Sequence, residues 1–164
     1  MDCELNGMKI KYEDGKLWVW REMWRKHKLK VPKWYEMKGK ADPNGRVDLC
    51  IGGRTTNGGR HFKYHRVIYF IHNPDWDIHD TCSDNIIDHI DRNPSNNSIE
   101  NLRVVTHQQN QWNTDRKGCS FHKASGKWRA RITIDSKEKY LGLFVNEDDA
   151  RNAYLIAKAE YHSF

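Results

Sequence analysis

The sequence predicts an α+β protein, in which a mixed region of strands and helices is followed by a small three-stranded antiparallel sheet with one helix. Two observations favour this class. Short stretches of alternating apolar and polar residues lie next to glycine-containing turns, which is typical of paired strands. Between and after them, a few segments repeat apolar residues at helical spacing.

Composition limits both the size of the cores and the class of protein. The chain has 164 residues, of which 37% are hydrophobic and 12% aromatic, so one or two small domains are expected and a large single-core enzyme is excluded. The sequence holds no apolar stretch of membrane-spanning length, no signal-like N-terminus and no C-x-x-C pair. We therefore expect a cytoplasmic protein with no membrane partner.

Basic residues are concentrated in two segments on either side of an acidic centre. Residues 15–40 hold nine Lys or Arg and two Glu, and residues 116–139 hold eight Lys or Arg and two acidic residues. The centre, residues 61–114, holds four Lys or Arg and seven acidic residues. Such runs are either solvated surface or the binding surface of a polyanion, for which a nucleic-acid backbone is the obvious candidate.

Strands with tight turns are predicted at residues 16–20 and 46–51, where apolar and polar residues alternate. A third strand at residues 61–64 should follow the turn Asn57-Gly58-Gly59, and a short helix should run from residue 64 to 72 and stop before Asn73-Pro74. Four tryptophans in the first basic segment either fill a core or stack on bases: Trp18, Trp20, Trp24 and Trp34.

The acidic centre follows a polar loop at residues 75–85 and has the order strand, loop, strand, helix. The strands are IIDHID and LRVVT, and the turn-rich segment RNPSNNSIEN separates them. Thr106 and Gln109 form a capping-box pattern, which predicts a helix that begins at His107.

The C-terminal segment has the clearest pattern in the chain. Residues 128–134 (WRARITI) alternate without a break, so one face is apolar and the other carries Arg129, Arg131 and Thr133. Strands at 118–123 and 139–144 flank it, and a helix should follow at 146–161 with Asn146 as its N-cap. Trp128 belongs to the apolar face by its parity, and base stacking is the alternative.

Four residues in the centre combine the groups needed for a hard-cation site. Asp88 supplies a carboxylate, His89 an imidazole, and Asn101 and Asn110 two amides. A carboxylate, an amide oxygen and water suit Mg²⁺, and a neutral imidazole can accept a proton from an attacking water. The alternative is a turn acid, a partly buried histidine and two loop-forming asparagines.

The stretch from His65 to Asn113 resembles the HNH homing-type endonucleases encoded by phages and introns, because D-H-I-D-x-N, N-N-x-I-E-N-L-R and V-T-x-x-x-N occur in order. The resemblance implies a β-β-α-metal fold in which Asp88 and Asn110 hold one Mg²⁺ or Mn²⁺ ion and His89 is the general base. It places Asn101 where it would orient His89 or its loop. His107 is an alternative ligand, and His65 either has a structural role or contacts the phosphate.

Regular strand alternation would separate the side chains of Asp88 and His89, since neighbouring residues on a strand point to opposite faces. Both can address one phosphate only where the strand ends or bends. We expect a bend here, because Asp91, Arg92, Asn93 and Pro94 follow directly and favour departure from regular pairing.

The segment 117–161 resembles the plant ethylene-response-factor (Apetala) DNA-binding domain through G-C-S-x-x-K, G-K-W-R-A-R-I, Y-L-G-L-F and E-D-D-A-x-x-A-Y. That resemblance implies a three-stranded sheet that enters the major groove. Several Arg and Trp positions of the plant proteins are Ser120, His122 and Tyr140 here, so the plant target sequence does not transfer. The predicted DNA-binding residues are Ser120, His122, Lys123, Arg129, Arg131, Thr133, Lys139 and Tyr140.

Together these patterns predict a site-preferring endonuclease of double-stranded DNA, with a nuclease domain at 1–113 and a targeting domain at 117–164. Its products would carry 5′-phosphate and 3′-hydroxyl ends. A monomer would nick one strand, whereas a homodimer or sequential cuts would be needed for a double-strand break. The alternatives are a DNA-binding regulator that keeps the scaffold without useful catalysis, and an accessory nuclease of phage DNA packaging.

Overall fold

The computed structural model describes residues 2–21, 24–25, 28–29, 32–52 and 60–162 of the chain. It confirms the α+β class, since helices are mixed with antiparallel sheets. The chain divides into two compact units, Met1–Val105 and Thr106–Phe164. The domain boundary expected between residues 113 and 117 stays a prediction.

The first unit begins with an antiparallel sheet that confirms the predicted strand at 16–20. Its strands β1 (Asp2–Leu5), β2 (Met8–Glu13) and β3 (Lys16–Arg21) follow one another as hairpins. The turns are Asn6-Gly7 and Asp14-Gly15, and all four residues have positive φ, which matches the twist of the flanking strands. β4 (Trp24–Arg25) pairs with β5 (Lys28–Leu29), and β6 (Lys33–Glu36) completes the sheet beside β3.

Three of the tryptophans lie on the face of this sheet opposite the core. Leu17 and Val19 of β3 are buried, whereas Trp18 and Trp20, which alternate with them, are half-buried. Trp20 packs edge-to-face against Trp34 of β6, with ring centroids 5.4 Å apart. A place in the buried core is therefore wrong for these three, and the side chain of Trp24 lies outside the described residues.

A second sheet and a helix complete the scaffold of the first unit. β7 (Lys40–Ala41), β8 (Val47–Ile51) and β9 (Arg60–Lys63) form an antiparallel sheet, and α1 (Tyr64–His72) follows directly. This confirms the strands and the helix predicted there, while the turn Asn57-Gly58-Gly59 lies outside the described residues. α1 buries Val67, Ile68 and Ile71 in a core shared with the N-terminal sheet.

The last two strands of the first unit carry the predicted cation site. β10 (Ile86–His89) and β11 (Leu102–Val105) pair antiparallel, with Asp88 opposite Arg103 and His89 opposite Leu102. A single 3₁₀ turn (Ile99–Asn101) leads into β11. α1 packs against this hairpin, so the hairpin rests on the apolar core of the unit.

The second unit begins with α2 (His107–Trp112), whose capping box between Thr106 and Gln109 is confirmed. β12 (Cys119–His122), β13 (Lys127–Ile134) and β14 (Lys137–Phe144) form the predicted antiparallel sheet, and α3 (Glu147–Tyr161) packs on it. Asn146 is at the N-cap position of α3, but its side chain donates to the Asp149 carboxylate instead of capping the backbone. In the described part of the chain, no helix is long and apolar enough to cross a membrane.

Candidate active site and nucleic-acid interface

The loop before β10 is held in place by one arginine of α1. Arg66 donates from Nη1 to the carbonyl of Asn85 (2.8 Å) and from Nη2 to the carbonyls of Ile78 (2.9 Å) and Asp80 (2.7 Å). Its guanidinium also lies 4.6 Å from the centre of the Trp76 ring. Arg66 therefore fixes the polar loop 75–85, which directly precedes β10.

Asn85 reinforces that loop from its other end. Its Nδ2 donates to the carbonyls of Asp77 (2.9 Å) and Asp80 (2.8 Å), and its Oδ1 accepts a hydrogen bond from Trp76 Nε1. All of its side-chain bonding groups are thus used inside the loop, as expected for a buried amide. The position of β10 is set by this network as well as by the strand ladder.

Asp88 is buried at 7% exposure and is paired with the cross-strand Arg103. Arg103 donates from both Nε (3.1 Å) and Nη2 (3.0 Å) to the same carboxylate oxygen, Oδ2. Charge-assisted bonds of this kind offset the cost of burying a carboxylate. The arginine thus compensates the charge of the predicted metal ligand.

His89 is buried at 9% exposure between an amide and a second histidine. Its Nε2 lies 3.1 Å from Oδ1 of Asn97, in the loop that follows β10. On the other side, its ring packs edge-to-face against the ring of His65 from α1, with centroids 5.1 Å apart. These two neighbours fix the plane of the imidazole.

The bend expected at Asp88 and His89 lies after them and not between them. Strand pairing continues through His89, and the turn begins at Ile90, with Arg92 at a positive φ of 65°. Among their contacts, Asp88 accepts hydrogen bonds from Arg103, and His89 Nε2 lies beside Asn97 Oδ1.

Asn101 lies buried at the base of the loop that returns over His89. Its Nδ2 donates to Asp91 Oδ1 (2.9 Å) and to the carbonyl of Asn96 (2.8 Å), and its Oδ1 accepts from the Asp91 backbone N–H (3.0 Å). Asn96 Nδ2 donates to the other carboxylate oxygen of Asp91 (2.8 Å). Asn101 thus contacts the loop and organises it.

His65, which packs against His89, and Asp91, which follows it in the chain, both have shifted pKa values. Burial lowers the pKa of His65 from 6.5 to about 3, and the nearby charges of His89 and Arg66 add to the effect. The His65 ring is therefore neutral at physiological pH. Hydrogen bonds from the Asn96 side chain, the Asn93 backbone and the Asn101 side chain lower the pKa of Asp91.

The donor set around Asp88 fits a water-rich hard-cation site and does not fit a closed one. Within residues 2–21, 24–25, 28–29, 32–52 and 60–162, no group of three or more His, Cys, Asp or Glu side chains could hold a metal ion. A structural zinc site normally requires such a group. Mg²⁺ needs fewer protein ligands, because it keeps several of its waters and binds through one or two carboxylates.

The other predicted ligands lie on α2, in the second unit. Asn110 is half-buried in the last turn of this short helix. The alternative ligand His107 is exposed, and its Nε2 lies 2.8 Å from Nε2 of Gln111, one helical turn away.

The C-terminal sheet carries a polar, basic face on the side away from its buried residues. Ser120 is paired with Arg129, and Arg131 with Tyr140, so these residues share that face. Arg131 is salt-bridged to Glu138 of β14, with Nη1 2.9 Å from Oε2. The remaining predicted DNA-binding residues on or beside this face are His122, Lys123 and Thr133.

Lys139 does not join that face. It pairs with the buried Ile132, and its ammonium donates to the hydroxyl of Tyr161 in α3 (2.7 Å). The physical reason is a bulge between Ala130 and Arg131, where Ala130 faces Gly142 and Arg131 faces Tyr140. The bulge turns Tyr140 toward the arginines and Lys139 toward the helix.

Trp128 lies on the same side of β13 as Ala130 and is half-buried. Phe121 and Phe144 are its cross-strand partners, and its ring packs edge-to-face against Phe121 at 5.6 Å. This arrangement extends the apolar side of the sheet beyond the buried Ala130.

Comparison with known proteins identifies the central segment. Residues 62–112 match the HNH endonuclease family, a range that contains Asp88, His89, Asn101 and Asn110. The chain is similar to Protein 3.8 of Escherichia phage T7, with 37% identity over 60 residues that cover 32% of this chain and 50% of that protein. The chain therefore spans half the length of this relative. No solved structure gives a significant match.

An HNH endonuclease domain thus occupies residues 62–112, and nucleases of this family generally use a divalent metal ion. The family match ends before the C-terminal sheet begins. Two arginines of the site were not predicted from the sequence. They are Arg103, which binds Asp88, and Arg66, which binds the loop 75–85. Arg103 lies in the N-L-R motif, but only the pairing of the two strands places it opposite Asp88.

Proposed function

We propose that the chain is a metal-dependent, site-preferring DNA endonuclease in which His89 is the general base. The observation that carries this proposal is the buried Asp88–His89 pair at the end of β10, inside the HNH domain, with the imidazole fixed between Asn97 and His65. A buried imidazole with defined neighbours is suited to proton transfer, since its orientation is set before substrate binds.

In the proposed reaction, His89 takes a proton from a water molecule that attacks the phosphorus in line with the departing 3′ oxygen. The P–O3′ bond breaks, the departing 3′ oxygen takes a proton from solvent water, and the products are a 5′ phosphate and a 3′ hydroxyl. When bound, Mg²⁺ or Mn²⁺ supplies positive charge to the scissile phosphate and the leaving oxygen. Asp88 and, by family resemblance, Asn110 are the proposed ligands, while Asn101 and Asp91 keep the loop over His89 in place.

We further propose that the polar face of the C-terminal sheet directs cleavage by binding the major groove of double-stranded DNA. Support comes from Arg129, Arg131 and Tyr140 on one face, a composition that suits contacts to phosphates and base edges. A monomer with one such site would nick one strand, whereas a homodimer would cut both.

Incubation of the full chain with supercoiled plasmid and Mg²⁺ tests the nuclease. We expect nicked circles or linear DNA, no product with EDTA, and a rate for His89→Ala that is about 10²- to 10⁴-fold lower at unchanged DNA affinity. His61→Ala, an exposed histidine of β9, is the matched control and should cut normally. Full activity in His89→Ala would remove His89 from the mechanism, and DNA binding without cleavage by the wild type would favour a regulator.

Metal binding can be measured separately from cleavage. Titration of the protein with Mn²⁺, followed by electron paramagnetic resonance of the free ion, should show one site that Asp88→Asn weakens. Unchanged Mn²⁺ binding in Asp88→Asn would show that this carboxylate is not a ligand.

A further inference from the structure

The turn between β7 and β8 is fixed by its own aspartate. Asp42 Oδ1 accepts from the backbone N–H groups of Asn44 and Arg46, both at 2.9 Å, and the Asp42 carbonyl accepts from the Gly45 N–H at 3.0 Å. An aspartate that bonds to the backbone of its own turn in this way defines the turn's conformation. Arg46 therefore leaves the turn from a set position, and it is exposed to solvent.

This turn packs against the loop that returns over His89. Gly45 has a φ of 80°, and a Cβ there would lie 2.7 Å from Oγ of Ser95 and 4.0 Å from Cγ of Pro94. The glycine thus lets the turn approach the loop closely. Since Asn97 of the same loop lies beside His89, the turn is next to the candidate active site.

Three basic residues lie near the ring of His65, which packs against His89. Burial is the main cause of the low pKa of His65, and the charges that lower it further include those of Arg66, Arg46 and Lys63. Only nearby charges have such an effect, because solvent screens distant ones. The position of Arg46 given by its turn and the reach of its charge thus agree.

Two of these three cations are engaged within the protein. Arg66 donates to three main-chain carbonyls of the loop 75–85, and Lys63 is salt-bridged to Asp48, with Nζ 2.8 Å from Oδ1. The guanidinium of Arg46 has no acidic partner among the residues that the structure places. Of the three, Arg46 is therefore the cation available to an anion from outside the protein.

We propose that Arg46 holds the cleaved DNA strand at the candidate active site by binding one of its backbone phosphates. A guanidinium suits this ligand, because its planar fork of N–H donors matches two phosphate oxygens. The inference rests on the proposed function of the Asp88–His89 pair as a nuclease centre. It adds a substrate contact from a turn that lies outside the HNH match at residues 62–112.

The salt dependence of DNA binding counts phosphate contacts without the need for cleavage. Binding of the full chain to duplex DNA in EDTA is measured by fluorescence anisotropy over a range of salt concentrations. Arg46→Gln should lower the slope of log affinity against log salt by about one, and Arg46→Lys should keep the wild-type slope. Lys9→Gln, which removes the same charge from an exposed position of β2, is the control and should also keep it.

Cleavage assays locate the contact on the DNA. A charge-assisted contact of this kind should make kcat/KM for plasmid nicking about 10- to 100-fold lower in Arg46→Gln, with a smaller loss in Arg46→Lys and none in Lys9→Gln. Duplexes that carry one neutral methylphosphonate near the mapped cut should bind the wild type more weakly. At one such position Arg46→Gln should show a smaller effect, because it already lacks the contact.

The two sets of data distinguish the two proposals. An unchanged salt slope in Arg46→Gln, an equal loss in Lys9→Gln, or methylphosphonate effects that are the same in Arg46→Gln and the wild type at every position would overturn the role of Arg46 while leaving His89 as the base. A wild type that binds DNA with a slope that Arg46→Gln lowers, but that cuts no DNA, would overturn the proposed nuclease function and leave Arg46 as a phosphate contact.

Discussion

Asn101 and Asp91 hold each other through two hydrogen bonds, one from Asn101 Nδ2 to Asp91 Oδ1 (2.9 Å) and one from the Asp91 backbone N–H to Asn101 Oδ1 (3.0 Å). The NH₂ group and the oxygen of one buried amide thus both bond to a residue ten positions earlier in the chain. Since this loop also carries Asn97, the pair links the base of the hairpin to the imidazole of His89.

Replacement of Asn101 should therefore lower stability and activity together. Asn101→Ala leaves the Asp91 backbone N–H and carboxylate without these partners, which should cost about 1 to 3 kcal/mol in the free energy of unfolding. Urea unfolding of the full chain, with Ser98→Ala as the control in the same loop, measures this cost. Asn101→Asp should destabilise further near neutral pH, because it sets a second carboxylate against Asp91. Equal stability of Asn101→Ala and the wild type would show that the pair does not anchor the loop.

His65 should make the first unit sensitive to mild acid. Burial lowers the pKa of this imidazole from 6.5 to about 3, so between these values the unfolded chain binds a proton that the folded chain does not. Stability is consequently lost as the pH falls from 6.5 toward 3. From about pH 7.5 to about pH 5.5, this group alone should cost about 1 kcal/mol.

Urea unfolding of His65→Gln at the same two pH values checks the source of this loss. The variant should lose less stability between them than the wild type, whatever its stability at the higher pH. His61→Gln, which changes an exposed histidine on β9, should keep the wild-type dependence. An identical pH dependence in His65→Gln and the wild type would contradict the assignment.

Local pattern was enough to predict some elements because their causes lie within a few residues. The alternation in β13 and the capping box of Thr106 and Gln109 are examples, and both are observed. The face occupied by Lys139 was not predictable in this way, since a one-residue bulge opposite Ala130 and Arg131 changes the parity of part of β14. Gly142 lies at this bulge and has a φ of 140°. A glycine in a strand pattern does not by itself predict the position of a bulge.

The partners in the candidate site depend on register and on backbone groups. Asp88 meets Arg103 because the twelve-residue connection between β10 and β11 places them opposite each other, and no local pattern determines that register. Arg66 binds main-chain carbonyls, which every residue possesses. The side chains of the loop therefore do not indicate that Arg66 binds it. Asp88 and His89 could therefore be predicted from the sequence, whereas their contacts with Arg103 and Asn97 could not.

The salt bridge between Arg131 and Glu138 should restrain the DNA binding that we propose for the C-terminal sheet. Glu138 repels phosphates and holds the guanidinium of Arg131 at 2.9 Å, and exposed pairs of this kind contribute little to stability. Glu138→Gln should therefore tighten binding to the target DNA without a loss of folding stability. Arg131→Ala should weaken it by about 1 to 3 kcal/mol and, for a base contact, relax one position of the site.

Fluorescence anisotropy over a range of salt concentrations measures both effects. Glu160→Gln on α3 is the control, since it removes the same charge from an exposed position away from the sheet face. An equal gain in affinity from Glu138→Gln and Glu160→Gln would assign the effect to net charge. A footprint unchanged in Arg131→Ala would show that this arginine does not read the groove.

Gly118 and Gly126 provide a matched test of the packing in the second unit, because both have positive φ, 67° and 65°, but different surroundings. A Cβ on Gly126 would meet no atom within 4 Å, whereas a Cβ on Gly118 would overlap the ring of the buried Tyr154. Gly126→Ala should cost only the backbone term of about 1 to 2 kcal/mol in the free energy of unfolding. Gly118→Ala should cost about 1 to 3 kcal/mol more, since the ring must move. Urea unfolding, monitored by amide hydrogen exchange in α3, measures the difference between the two costs. Tyr154→Leu should reduce this difference. Equal costs for the two alanine variants would show that Tyr154 does not pack on Gly118.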